Sequence, residues 1–579
     1  MCSLSLSVVC FAWKSCSSRL HITTRMHSFH VVTLALVAPT HAFKGGFSWT
    51  RQWYPLAFSK VTDRSVPHRL ELLGEPLVLW YDGVNEAWCA MIDACPHRLA
   101  PLSEGRIDEK GAIECPYHGW AFESDGRCTR VPQGVDPLDP KLLSKCGGTS
   151  YVVAERQGLV WVWGEPLNFS EADPKQLPDE AQIPICEALE DDRFVWIDVS
   201  RDMPYSADML LENVLDSSHV PFTHHQTISK RENAKPLPLV LTETLSADGF
   251  SGENRVDGDA GVLKVQGSAP PTRRTERTTV FRAPTYMHHK IRSGGLAGTD
   301  AENDFDAGFE TWTVAYATPT GPGRCRLFAR FPFRFPPPKP RTGLLGKLPS
   351  INLPAEVFRR VPTWAQHMGQ LKVLDDDNIF LPLQERRVAD VGGWKRGYVT
   401  PTSADLFVNT YRRWFDAAGP PPHASHAVDY FRGAALDKAS LLDRYAQHTK
   451  HCTACSGALT NAQRISKACT ALLLALGTCT PWAIVGSSHA VLGAASALST
   501  ARTVPTALAA TCGLIGTLVS RPIGAVTLSA LALFAIRQFA QSVAEKLTTG
   551  LGEYPPPRNR PEGEGAATEL RTVEQGRAR

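Results

Sequence analysis

Two short segments of the chain each combine one cysteine with one histidine. The first is Cys95-Pro-His97, and the second is Cys115-Pro-Tyr-His118-Gly-Trp. Structural zinc sites usually take two cysteines from one loop and two histidines from one helix, whereas these mixed pairs suit two loops that clasp a flat cluster of two metals. Two thiolates would bind one iron and two neutral imidazoles the other, which raises the reduction potential of the cluster. The alternatives are a structural zinc protein, or core cysteines and surface histidines that bind no metal.

A second group of potential metal ligands follows further along the chain. It contains His219 and His224, and His225 competes with His224 for the same role. Because five residues of an undistorted helix turn a side chain by about 140°, both imidazoles reach one metal only if the helix ends between them. Pro221 favours such a break. Two histidines and one carboxylate form the facial triad of non-heme Fe(II), which leaves positions open for O2, and candidate carboxylates lie downstream at 375–377.

These motifs carry a resemblance to a known family. The two cysteine–histidine loops resemble those of Rieske proteins, and the histidine pair with the downstream acidic run resembles the iron site of Rieske oxygenases. The resemblance implies that a 2Fe-2S cluster is bound by Cys95, His97, Cys115 and His118. It also implies a mononuclear non-heme Fe(II) bound by His219, His224 and Asp377. In the family a glutamine follows the aspartate ligand, as Gln384 does here, and that register selects Asp377 over Asp375 and Asp376.

Asp216 and Asn213 lie just before the histidine pair. In Rieske oxygenases the matching aspartate hydrogen-bonds an iron-bound histidine and a cluster-bound histidine of the neighbouring subunit. The resemblance therefore implies that Asp216 links the two metal sites and that Asn213 supports the same network. The alternative for Asp216 is a helix N-cap or a surface carboxylate.

Further stretches narrow the resemblance to a plastid group of Rieske oxygenases, the one that contains pheophorbide a oxygenase. They are residues 47–55, 218–225, 230–238 and 442–455. The group implies a homotrimeric monooxygenase that uses O2 and reduced ferredoxin on a chlorophyll-type tetrapyrrole, most closely pheophorbide a in chlorophyll breakdown. One alternative is a related chlorin oxygenase that oxidises a side chain of protochlorophyllide or chlorophyllide. Another is a non-enzymatic redox-sensing or electron-transfer subunit of a plastid membrane complex, although an electron carrier has no need of the iron triad.

The pair Cys452-Thr-Ala-Cys455 precedes a long apolar segment. It lies outside any βαβ pattern, so it is not a thioredoxin active site. Such a pair can cycle between dithiol and disulfide, and the resemblance implies a redox-regulatory target of plastid thioredoxin. The alternatives are half of a zinc site with His448 and His451, or two unpaired thiols.

Composition limits the class of protein. A chain of 579 residues is too long to fold around one compact core. It has 61 Lys+Arg and 58 Asp+Glu, which gives a net charge of +3. Nucleic-acid-binding proteins usually carry a marked excess of positive charge, and this chain does not. The chain carries no acidic residue before Asp63 and has a short apolar run at 31–38, which indicates a targeting segment. Met26 is an alternative start, and a flexible N-terminal arm is the other interpretation.

The C-terminal quarter predicts membrane insertion. No charged residue lies between Lys467 and Arg502, and the following apolar stretch at 503–536 is interrupted only by Arg521. Each stretch is long enough for a membrane-spanning helix, so two or three spans are expected. With the family resemblance, this predicts a location in a plastid membrane, either the inner envelope or the thylakoid.

The expected fold class is α+β. An N-terminal antiparallel β Rieske domain is followed by a mixed α+β catalytic domain, for which the resemblance implies a curved antiparallel sheet, and by C-terminal transmembrane helices. The expected boundaries are a targeting segment at 1–45, the Rieske domain at 46–170, the mononuclear-iron domain at 171–448, the Cys-x-x-Cys segment at 449–460, a membrane anchor at 465–540 and a disordered tail at 541–579.

Overall fold

The computed structural model of the protein describes the following residues: 43, 46–134, 145–168, 178–255, 275–294, 304–338, 352–426, 430–431, 433–499 and 522–559. For residues 479–499 and 522–524 it describes the backbone only. Nearly all of the predicted targeting segment, and positions 560–579 of the predicted tail, lie outside this range.

The N-terminal region is built from short antiparallel strands, as the sequence predicts. The strands are β1 (Trp53–Phe58), β2 (His68–Leu72), β3 (Glu75–Asp82), β4 (Ala87–Ile92), β5 (Arg106–Ile107), β6 (Ile113–Glu114), β7 (Ala121–Phe122), β8 (Cys128–Arg130), β9 (Thr149–Tyr151), β10 (Val153–Arg156), β11 (Leu159–Trp163) and β12 (Leu167–Asn168). They pair in the orders β1-β11-β10, β12-β9-β4-β3-β2 and β5-β6-β7-β8.

Strand β3 separates two hydrophobic cores. Successive side chains of a strand point to opposite faces, and here both faces are covered. Leu77 and Leu79 join a large core that also contains Val199 and Phe281. Val78 and Trp80 pack with the buried cysteines of the two cysteine–histidine loops. The continuous apolar run of this strand therefore reflects burial on both sides, and it gives the loops an apolar base.

One antiparallel sheet forms the body of the second region. Its strands are β13 (Val195–Met203), β14 (Leu239–Ser246), β15 (Gly249–Asn254), β16 (Thr275–Arg282), β17 (Tyr286–Ser293), β18 (Glu310–Gly321) and β19 (Arg324–Arg334). They lie in the order β13-β19-β18-β17-β16-β15-β14. Alternate residues of β13 are buried, which is the pattern of a strand with one face on the core.

Helices complete the mixed α+β architecture. They are α1 (Ala207–Leu215), α2 (Val220–Thr223), α3 (Leu353–Arg360), α4 (Thr363–Asn378), α5 (Leu381–Asp390), α6 (Trp394–Gly397), α7 (Leu406–Ala418), α8 (Lys438–Leu441), α9 (Arg444–Gln447), α10 (Thr453–Ser499) and α11 (Pro522–Thr548). The α+β prediction is confirmed. Pro382 lies in the first turn of α5, where a missing backbone N–H costs least.

The two C-terminal helices, α10 and α11, pack along each other. Among the described residues, one helical segment is long and apolar enough to cross a membrane: Ala525–Thr548, with a mean hydropathy of 1.3. The predicted set of two or three spans is therefore not shown, and part of it lies outside the described residues.

The predicted disordered tail from 541 is wrong for its first part. Helix α11 continues to Thr548, and further helical turns follow at Leu551–Glu553 and Pro557–Asn559. The reason is packing, because Val543 and Leu547 belong to an apolar core with the start of α10.

A buried ion network fixes α4 against the sheet. Arg201 of β13 donates to the carboxylate of Asp375 at 2.6 Å and to the carbonyl of Leu371 at 3.0 Å. Arg444 donates to the other oxygen of Asp375 at 2.9 Å. Both guanidinium side chains are at most 1% exposed. A carboxylate at this depth is tolerated because it is paired and hydrogen-bonded.

We predict that Asp375→Ala lowers the free energy of unfolding by about 3–5 kcal/mol, because it removes the one carboxylate that two buried guanidinium groups share. Chemical denaturation followed by circular dichroism measures the change. The control is Glu356→Ala, which removes an ion pair to the exposed Arg360 and should change stability by no more than about 0.5 kcal/mol. Equal effects of the two substitutions would contradict the assigned role of the network.

Candidate functional site

The two cysteine–histidine loops have the same backbone construction. In the first, the N–H of Cys95 donates to the carbonyl of Ala100, and the N–H of Leu99 donates to the carbonyl of Cys95, both at 2.8 Å. In the second, Cys115 pairs in the same way with Trp120 at 2.8 Å and with Gly119 at 3.1 Å.

In each loop, the fifth residue counted from the cysteine has a positive φ. The angle is 60° at Leu99 and 73° at Gly119, in the left-handed region that most side chains avoid. This repeated turn presents each cysteine inward and places the histidine of its loop beside the other loop.

The side chains of the four loop residues converge. Cys95 and Cys115 are 1% and 2% exposed, and their thiols lie in hydrogen-bonding contact. Burial raises the pKa of Cys95, and the neighbouring thiol raises it further. The rings of His97 and His118 are 4.7 Å apart, and Trp120 stacks on His97 at 4.6 Å. Within the described part of the chain, the buried Nδ1 of His97 meets no hydrogen-bond partner.

The second histidine pair flanks a single helical turn. Helix α1 ends at Leu215, before His219, and the separate turn α2 begins immediately after His219 with Pro221 in its first turn. Helix α2 ends at Thr223, and His224 is the residue that follows it. A helix end therefore lies between the two histidines, as predicted, and a further break separates α1 from α2 before His219. A short turn that ends just before His224 lets both rings reach the same point, and their centroids are 5.2 Å apart.

His219, His224 and Asp377 each offer a ligand atom within 4.8 Å of the others. The Nε2 atom of His224 is 3.5 Å from the Asp377 carboxylate. His224 is 4% exposed and Asp377 is 5% exposed. Burial raises the pKa of Asp377, and the two imidazoles oppose that rise. A cation at this point would hold the carboxylate in its charged form.

The other ring nitrogen of each histidine is held by an oxygen. Nδ1 of His219 contacts the backbone carbonyl of Asp216. Nδ1 of His224 lies 3.3 Å from the carboxylate of Asp376. Such contacts fix the tautomer and the direction of an imidazole, and leave Nε2 for a metal. Sequence reasoning considered Asp376 only as a rejected ligand and missed this orienting contact.

The two residues predicted to link the metal sites have different contacts. The amide of Asn213 donates to the carboxylate of Asp377 at 3.5 Å, and not to Asp216. The Asp216 carboxylate accepts from the N–H of Ser218 at 2.7 Å and from its hydroxyl at 2.5 Å. Asp216 therefore reaches His219 through its backbone carbonyl and not through its carboxylate, because the carboxylate closes a turn with Ser218. The hydrogen bond between Asp216 and a cluster-bound histidine of a neighbouring subunit stays a prediction.

The C-terminal segment contributes an arginine to this site. Arg558 donates to the carbonyls of Thr223 and Asp376, each at 2.7 Å. It thereby joins the turn that carries His224 to helix α4. No short-range signal in the sequence indicated this contact, since Arg558 lies in the segment predicted to be disordered.

The remaining predicted residues are placed as follows. His225 does not join the triad, and its Nδ1 accepts from the N–H of Arg231 at 3.1 Å. Cys452 and Cys455 are buried and lie together with His448, as the zinc alternative expected. His451 instead lies 3.6 Å from Asp202.

Comparison with known proteins agrees with this geometry. Residues 52–140 match the Rieske 2Fe-2S domain family, and residues 281–394 match the pheophorbide a oxygenase family. Pheophorbide a oxygenase of Oryza sativa subsp. japonica is 32% identical over 444 residues, which cover 73% of this chain and 75% of that protein. Two further chloroplastic relatives are 29% identical; each match covers 71% of this chain, and the matches cover 74% of the first relative and 73% of the second. They are protochlorophyllide-dependent translocon component 52 of Arabidopsis thaliana and flavonoid 8-hydroxylase 2 of Ocimum basilicum.

The chain belongs to the pheophorbide a oxygenase family of Rieske oxygenases. It is therefore an oxygenase, and its resident cofactors are a Rieske 2Fe-2S cluster and a mononuclear non-heme iron.

The residues present fit both cofactors. The two buried thiols in contact and the orphaned Nδ1 of His97 suit the cluster. The convergent donors of two histidines and one aspartate suit the mononuclear iron.

We predict that Asp376→Asn lowers mononuclear iron binding by about 10–100-fold, because a neutral amide orients the ring of His224 less strongly than a carboxylate does. Metal analysis would show total iron falling from about three to about two atoms per chain, the two of the cluster. The electron paramagnetic resonance signal of the reduced Rieske cluster should persist.

The matched control is Asp390→Asn, which changes an exposed aspartate at the end of α5 and should leave the iron content unchanged. Full iron occupancy in Asp376→Asn would contradict the orienting role.

Proposed function

We propose that this protein is a ferredoxin-dependent Rieske monooxygenase that acts on a chlorophyll-type tetrapyrrole, with pheophorbide a as its substrate. The observation that carries the proposal is the convergence of His219, His224 and Asp377 within a chain of this family. Asp377 itself lies in the stretch that matches the pheophorbide a oxygenase family. A pure electron carrier has no use for such a triad, so the enzyme is favoured over a redox-sensing subunit.

Each predicted site residue has a role in this proposal. Cys95, Cys115, His97 and His118 hold the cluster, and His219, His224 and Asp377 hold the iron. When bound, the cluster supplies electrons and the iron supplies open positions for O2.

The surrounding residues position these ligands. Asp376 holds the ring of His224 through Nδ1. The carbonyl of Asp216 holds the ring of His219 in the same way, and Asn213 donates to the carboxylate of Asp377. With both rings fixed at Nδ1, two imidazole nitrogens and one carboxylate oxygen converge as three donors, and a triad of this kind would leave coordination positions of the iron open for O2.

The substrate class rests on the relatives. Pheophorbide a oxygenase is 32% identical to this chain, whereas the flavonoid hydroxylase is 29% identical. The chlorin assignment is therefore favoured over a flavonoid. The runner-up within the same class is oxidation of a side chain of protochlorophyllide or chlorophyllide, which needs the same ligand set.

Membrane attachment in a plastid, at the inner envelope or the thylakoid, is part of the proposal. Large apolar side chains of the C-terminal helices are exposed, with Leu531 of α11 at 61%, Phe539 of α11 at 67% and Leu474 of α10 at 70%. Such a surface is costly in water and favourable in lipid. A lipid-soluble chlorin would reach an enzyme held at the same membrane, and the chloroplastic relatives support a plastid location.

Ferredoxin as electron donor and a homotrimeric assembly complete the proposal. Asp216 would then connect the iron site of one subunit with the cluster of its neighbour. Regulation of Cys452 and Cys455 by thioredoxin stays a prediction, and it competes with a metal-binding role for the same two thiols.

The decisive experiment is turnover of the purified full-length protein with reduced ferredoxin and isotopically labelled O2. The substrates are pheophorbide a, protochlorophyllide, chlorophyllide and a flavone, and products are analysed by mass. We expect label in pheophorbide a, and none with Asp377→Asn. Label only in another chlorin would move the assignment to that substrate. Absence of label from every chlorin would overturn the proposal.

A further inference from the structure

Away from the iron triad, two cysteines and two histidines meet in a second buried cluster. Its members are His367, His448, Cys452 and Cys455, and a ligand atom of each lies within 4.8 Å of the others. All four residues are at most 2% exposed. Nothing in the oxygenase reaction uses them.

The four residues come from three separate parts of the chain. His367 lies in α4, and His448 follows α9. Cys452 immediately precedes α10, and Cys455 lies in the first turn of α10. Sequence reasoning paired the cysteines with His448 and His451, and it missed His367, because His367 precedes His448 by 81 positions. Only the fold brings α4 to this point.

We propose that these four residues bind one structural Zn²⁺. Zinc at about 2.3 Å from sulfur and about 2.0–2.1 Å from nitrogen in a tetrahedron requires neighbouring nitrogen and sulfur atoms roughly 3.5 Å apart. The Cys455 sulfur is 3.3 Å from His448 Nε2 and 3.4 Å from His367 Nδ1. The Cys452 sulfur is 3.6 Å from His367 Nδ1. Soft thiolates with imidazoles in this geometry are typical of zinc.

The orientation of His448 agrees with a metal ligand. Its Nδ1 donates to the carbonyl of Ser200 at 2.6 Å. That bond fixes the tautomer in which Nε2 carries a lone pair, and Nε2 points at the other three donor atoms. Two thiols and a second imidazole surround the free Nε2 of His448. This grouping has no role in the hydrogen bond that Nδ1 donates to the main chain, and it is the grouping expected around a metal.

The site is closed, which indicates a structural role. Four protein donors satisfy tetrahedral zinc and leave no position for water or substrate. The metal would join the start of α10 to helix α4, and α4 also carries Asp376 and Asp377. Ten residues of helix, about 15 Å, separate His367 from Asp377. The zinc would therefore hold the helix that carries the iron-site carboxylates without taking part in the reaction.

The first test is metal analysis of the purified full-length protein, followed by X-ray absorption at the zinc edge. We expect one zinc per chain, with two sulfur neighbours at about 2.3 Å and two nitrogen neighbours at about 2.0–2.1 Å. Protein without zinc, or a Cys452–Cys455 disulfide in the isolated protein, would overturn the proposal. Because zinc content is independent of turnover, failure here is distinguishable from failure of the proposed oxygenase function.

Matched variants locate the zinc. Cys455→Ser and His367→Asn should each abolish zinc binding. The controls are Cys469→Ser, a buried cysteine of the same helix α10, and His451→Asn, a nearby histidine outside the cluster; both should retain one zinc per chain. Equal zinc content in all four variants would contradict the assignment. If a cluster variant does not fold, the absorption spectrum of the unaltered protein still decides the ligand set.

Discussion

Three adjacent buried carboxylates in helix α4 impose the constraint on which the rest of the structure depends. Asp375, Asp376 and Asp377 are 8%, 3% and 5% exposed. Uncompensated charges at that depth would be far too costly for a stable fold. The chain compensates each one differently. Asp375 accepts from two guanidinium groups, Asp376 faces the ring of His224, and Asp377 faces the two imidazoles where the iron belongs.

This constraint makes α4 the junction of the second domain. Its ion network reaches strand β13 and helix α9, while Arg558 closes the C-terminal segment over the same region. The positions of the iron-site side chains are therefore fixed by elements that lie far apart in sequence. A zinc at the other end of α4 would extend the same principle, because it fixes the helix at two points and so limits the movement of its carboxylates relative to His219 and His224.

Local patterns predicted much of this arrangement. The cluster loops are readable because their cysteines and histidines are neighbours in sequence, and the strands beneath them carry continuous apolar runs. The choice of Asp377 over Asp375 and Asp376 as the ligand came from the family resemblance and not from spacing alone. Contacts such as His224 with Asp376, Arg558 with Thr223, and His367 with His448 depend on how distant elements pack, and no local pattern encodes them. The helix end between the histidines was predicted, but Pro221 does not cause it: Pro221 lies in the first turn of α2, a position at which proline is well tolerated.

We infer that His224, and not its neighbour His225, completes an iron site with open positions. The most direct measurement is electron paramagnetic resonance of the reduced full-length protein exposed to nitric oxide, compared between His224→Asn and His225→Asn. The unaltered protein and His225→Asn should give the high-spin signal of an iron–nitrosyl adduct. His224→Asn should lose that signal while the reduced Rieske signal persists. An undiminished nitrosyl signal in His224→Asn, or the absence of that signal from the unaltered protein, would contradict the assignment of His224 as an iron ligand.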